Sequence, residues 1–73
     1  GEELDLAALA ARVVAEVSSL RGKERVELVR EKEPVPILAD ASQLEQVLRN
    51  LIDNALKYGA DDQPVKVTVV QEK

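Results

Sequence analysis

Four polar side chains on one short stretch have the types and spacing for ligand chemistry. In LRNLIDNALKYG, Leu48 to Gly59, Asn50 and Asn54 stand one helical turn apart. Lys57 follows, and Tyr58, the only aromatic residue of the chain, closes the set. An amide oxygen can coordinate a hard cation such as Mg²⁺, and its NH₂ can donate to a phosphate oxygen. A lysine one turn on adds a point charge for the same phosphates. Asparagine is a mediocre helix former, so two in one helix ask for a reason. The plainer reading makes both partly exposed helix residues, with Lys57 favouring the negative helix end. Spacing alone does not choose, because an N-x-x-x-N pair is a weak signal.

The element that positions these residues is the clearest in the chain. In DASQLEQVLRNLIDNALKYG, Asp40 is a good N-cap, and Gln43 three residues on completes a start of capping-box type. Leu44, Val47, Leu48, Leu51, Ile52, Ala55 and Leu56 recur at helical spacing, and Gly59 ends the run. This predicts a helix over about 41–58. At about 100° per residue, Gln43, Asn50, Asn54 and Lys57 fall along one flank of that apolar stripe, with Tyr58 near its border. Asp53 points away from the flank and reads as a surface charge.

Upstream, Asp5 is a plausible N-cap for a helix over about 6–21. Leu6, Leu9, Ala10, Val13, Val17 and Leu20 lie on its apolar stripe, Arg12, Glu16 and Ser19 face water, and Gly22 is the stop. RVELVRE and VPILA alternate as strands, and Pro36, which cannot donate to a ladder, belongs at an edge. PVKVTVV reads as a third strand, and Glu2–Leu4 as a short extra one. The expected fold is α/β (α+β), a two-layer sandwich with two helices packed on one face of a small mixed sheet.

Composition narrows the function. The 73 residues suit one small domain whose core is built from Leu, Val, Ile and Ala. With no cysteine there is no disulfide framework or thiolate metal site. With no histidine the usual general base, and any phosphohistidine within this chain, are absent. A formal net charge of -4 argues against a nucleic-acid partner. Ser18, Ser19 and Ser42 have no general-base partner nearby in sequence, and the acidic pairs Glu2–Glu3 and Asp61–Asp62 lie at a terminus and in a loop.

ADASQLEQVLRNLIDNALKYG resembles the N-box region of sensor histidine kinases. These belong to the GHKL ATPase superfamily, with DNA gyrase, the heat-shock chaperone ATPase and the mismatch-repair ATPase MutL. The kinase pattern is an AD entry, a leucine, then QVLxNLxxNAxKY. Ala39, Asp40, Leu44, Gln46 to Leu48, Asn50, Leu51, Asn54, Ala55, Lys57 and Tyr58 match it. DLAALAARVVAEV resembles the helix that opens the kinase ATP-binding domain, and KVTVV the strand after the N-box.

The resemblance implies a partial histidine-kinase ATPase-type fold holding ATP and Mg²⁺. Asn54 resembles the Mg²⁺ ligand, Asn50 and Lys57 the phosphate contacts, and Tyr58 the aromatic bordering the nucleotide. Hydrolysing relatives carry a glutamate where this chain has Asn50, which fits a site that holds ATP for transfer to a histidine. The family's later DxGxG and GxGxG segments have no counterpart, since the three glycines are Gly1, Gly22 and Gly59. The expectation is therefore residues 1–73 as the first half of the domain, not catalytically competent alone, with weak or absent nucleotide binding. Its implied partners are the kinase's dimerisation and phosphoacceptor region and a response regulator, in the cytoplasm. An exposed sheet edge or helix surface is expected to allow homo-oligomers. The alternative is an engineered or truncated scaffold or interaction module with no nucleotide role.

Overall fold

Short capped elements follow one another with little loop between them. The computed structural model describes residues 1–60 and 62–72. In chain order the elements are β1 (Glu2–Asp5), α1 (Leu6–Arg21), a single 3₁₀ turn (Lys23–Arg25), β2 (Val26–Arg30), β3 (Pro36–Ala39), α2 (Ala41–Tyr58) and β4 (Val65–Val69). The α+β class, both helices and the extra N-terminal strand are as expected.

Both helices start at the N-caps the sequence predicts, though among the described residues the Gln43 side chain does not return a bond to the Asp40 N–H. The Asp5 carboxylate accepts from the backbone N–H of Ala7 at 3.1 Å, and that of Asp40 from Gln43 at 3.1 Å. Each satisfies a donor that a helix start leaves open. The two helix ends use glycine differently. Gly22 has φ of 110°, a conformation that glycine adopts without strain. Gly59 has an ordinary φ of -84°, so α2 does not end in a left-handed cap. Its need for glycine is space: a Cβ there would stand 2.6 Å from the Ala55 carbonyl oxygen.

The strands divide into two pairs. β1 runs antiparallel to β3, with Leu4 opposite Ile37 and Asp5 opposite Pro36. β2 runs parallel to β4, with Val26 opposite Val65 and Arg30 opposite Val69. The mixed character is as expected, but it is carried by two two-stranded sheets and not by one. Pro36 sits on a strand with one partner, where its missing N–H costs no ladder bond.

Asp5 joins the two halves. The same oxygen that caps α1 accepts from the Val35 N–H at 3.0 Å, and the Val35 carbonyl accepts from the Leu6 N–H at 2.8 Å. Val35, Ala7, Ala10 and Val69 form a small buried cluster beside this junction. The main core is Leu9, Val13, Val14, Val17, Val26, Ile52 and Leu56, with Val13 fully enclosed.

Helix α1 lies beside α2, tied by Arg12–Glu45, Glu16–Arg49 and Arg21–Asp53, the last at 3.8 Å. The partners ascend together along both helices, so α1 and α2 run parallel. Among the described residues, no helix is long and apolar enough to cross a membrane.

Three stripe residues are not where the pattern puts them. Leu20 is 85% exposed, Leu51 61% and Val47 54%. The sheet beneath α2 is narrow, so the α2 residues packed in the main core are Ile52 and Leu56, with Ala41, Leu44 and Leu48 against them. Leu20 lies in the last turn of α1 and is turned to solvent.

Candidate functional site

The 18-residue helix α2 presents three different surfaces. Glu45, Arg49 and Asp53, four residues apart, meet α1 through the ion pairs. Ile52 and Leu56 face the core. The remaining arc carries Gln43, Asn50, Asn54, Lys57 and Tyr58, all exposed, with the apolar pair Val47 and Leu51. At about 100° per residue, Asn50, Asn54, Lys57 and Tyr58 span an arc of about 100°.

The four expected site residues are thus on one exposed face, as their spacing requires. Asp53 is apart from them, half-exposed and turned toward Arg21. Among the described residues, none of the four makes a side-chain hydrogen bond or an ion pair. The Lys57 ammonium stands 5.4 Å from the centre of the Tyr58 ring, within cation–π range. Their donors and acceptors are therefore open to a ligand.

This donor set has a definite chemistry. Two amide oxygens are hard, neutral ligands that suit Mg²⁺ when phosphate oxygens supply the negative charge. No group of three or more His, Cys, Asp or Glu side chains able to hold a metal exists among the described residues. A cation here would come with an anionic ligand, and Lys57 would neutralise part of that ligand's charge. None of the four groups is enclosed, and Tyr58 is 77% exposed. The face is one wall.

Reasoning from the sequence missed that Val47 and Leu51 share this face. The signal was present in their spacing, since both lie closer to Tyr58 around the helix than to Ile52. A shallow, open hollow adjoins Val47 at the start of α2, lined also by Ala39, Asp40, Gln43 and Leu44.

Fold and face together define a small α+β domain with an amide-rich helix surface. Its sequence is similar to the adaptive-response sensory kinase SasA of Prochlorococcus marinus (strain MIT 9215), 27% identical over 73 residues. The match takes in 97% of this chain, which spans about a fifth of that relative's length, 20%. The similarity links the chain to the sensory kinases. No protein-family model and no solved structure matches it.

Proposed function

We propose that this chain supplies the N-box side of the ATP- and Mg²⁺-binding site of a two-component sensor histidine kinase, α2 being the N-box helix. The reading rests on one observation: Asn50, Asn54, Lys57 and Tyr58 share an exposed, unpaired face of α2. The similarity to a sensory kinase supports it. In this reading the rest of the parent protein, in the cytoplasm, carries the dimerisation region and the phosphoacceptor histidine, and a response regulator receives the phosphoryl group.

Each side chain has a task. The Asn54 amide oxygen would hold Mg²⁺, which would supply positive charge against the nucleotide phosphates. Asn50 donates its NH₂ to a phosphate oxygen, and Lys57 adds a positive charge one turn on. Tyr58 offers a ring edge to the nucleotide. An amide has no basic nitrogen, so Asn50 cannot take a proton from water as a carboxylate can. The wall holds a nucleotide without activating its hydrolysis.

A ¹⁵N NMR titration with ATP or ADP, with and without Mg²⁺, tests the proposal. Magnesium-dependent shifts centred on Asn50, Asn54, Lys57 and Tyr58 are expected, and Asn54→Ala removes the magnesium dependence while keeping the fold. A folded spectrum that does not respond to millimolar Mg-ATP would remove the basis for it. One observation favours a second reading, an interaction module: Val47 and Leu51 expose apolar surface beside the amides.

A further inference from the structure

Helix α2 carries a second pattern that the nucleotide reading does not use. Asp40, Leu44, Val47, Leu51, Asn54 and Tyr58 follow one another at intervals of four, three, four, three and four residues. That is the spacing of a coiled-coil seam, in which alternate three- and four-residue steps keep one edge of a helix toward another helix. Leu44 is partly buried, while Val47, Leu51, Asn54 and Tyr58 are exposed. No other helix of the described residues covers this seam, because α1 lies against Glu45, Arg49 and Asp53 on the far side of α2.

The seam is also nearly free of charge. One third of the chain is charged, 33%, yet between Leu44 and Tyr58 Lys57 is the only charge on or beside the exposed seam. Depletion of charge at the centre of a patch, with an aromatic residue at its edge, is the compositional mark of an interface.

We infer that this face binds a second copy of the same chain, α2 against α2 in antiparallel, two-fold symmetric pairing. The ends of the seam fit each other. In one register Val47 of each copy meets Leu51 of the other, and Leu44 meets Asn54. The same register brings Tyr58 to Asp40 of the second copy, at the hollow lined by Ala39, Asp40, Gln43, Leu44 and Val47. Tyr58 is the exposed knob, and in this register it lies over that shallow, open hollow. The Lys57 ammonium then lies near the Asp40 carboxylate of the second copy, a charge match made twice by symmetry. Asp40 is exposed and, among the described residues, in no ion pair; one of its oxygens accepts the capping bond from the Gln43 N–H, and the other is open to that contact.

The contact is one helix wide and about 27 Å long at ~1.5 Å per residue, so it sits at the small end of specific interfaces. A contact of this size predicts a weak dimer that dissociates on dilution. The inference does not depend on the nucleotide reading. The dimer does cover Asn54 and Tyr58, so a nucleotide bound there would compete with the second copy.

Sedimentation equilibrium over a concentration series reads the result directly. The wild-type chain is expected to move from monomer to dimer mass, and Leu51→Arg to remain monomeric with an unchanged circular dichroism spectrum. Because the chain has no cysteine, oxidative cross-linking tests the register. Val47→Cys/Leu51→Cys should yield a covalent dimer, and Ala15→Cys should not. A wild-type chain monomeric at millimolar concentration overturns the inference and assigns the seam to another partner. A dimer that survives Leu51→Arg overturns it equally, placing the contact elsewhere.

Discussion

Ile52 and Leu51 are adjacent, similar in size and on the same apolar stripe, but only one holds the domain together. Ile52 is 2% exposed in the main core, and Leu51 is 61% exposed. Ile52→Ala removes three buried carbons, a transfer loss of about 2.4 kcal/mol at ~0.8 kcal/mol per methylene. The cavity left behind raises the cost to about 3 kcal/mol. At roughly 0.05–0.15 kcal/mol per residue, the 73-residue chain has about 4–11 kcal/mol in all. The loss therefore lowers the melting temperature by about 15 °C in a domain of this size. Leu51→Ala should change stability by no more than about 0.5 kcal/mol, as exposed substitutions do. Urea unfolding followed by circular dichroism, at a protein concentration where sedimentation shows monomer, measures both. Equal losses for the two variants would refute the placement of α2, because they would mean that Leu51 also packs inward.

The Asp5 carboxyl is held below its ordinary value of 3.8, first by the hydrogen bond from the Val35 N–H. A lowered acid contributes stability above its unfolded pKa and loses it as pH falls through the folded one. Wild-type stability should thus drop on acidification below about pH 4, and Asp5→Asn should flatten that part of the curve. Gly59→Ala forces a Cβ to 2.6 Å from the Ala55 oxygen and should lower the melting temperature, although alanine is the better helix former. Arg49→Ala breaks an exposed ion pair and should cost less than about 1 kcal/mol, a difference that shrinks in high salt.

Elements were legible in this sequence wherever capping and periodicity agreed. Asp5, Gly22 and Asp40 mark helix limits that the structure keeps, and the alternation of Val65, Val67 and Val69 gives β4 its inner face. The division into two sheets was not legible, because strand pairing is a long-range choice and the alternation is the same in either arrangement. Nor could the stripe on α2 say how much of itself would be covered. That depends on the width of the sheet beneath it, a tertiary quantity. The shared arc of Asn50, Asn54, Lys57 and Tyr58 was legible because helix geometry alone sets it. Their openness was not, since it depends on what stands opposite.

The three ion pairs between the helices read plus, minus, plus along α1 and minus, plus, minus along α2. Their modest energy understates what that order does. Sliding α2 by one turn in one direction sets Arg12 against Arg49 and Glu16 against Asp53. Sliding it the other way sets Glu16 against Glu45 and Arg21 against Arg49. Both neighbouring alignments replace the three attractions with two repulsions, so the gap between the right alignment and a slipped one exceeds the worth of the bonds themselves. A core of Val, Leu, Ile and Ala alone tolerates such slips, having few shapes that fit only once. The charges on the outside of the helix pair tell the apolar residues inside it where to stop.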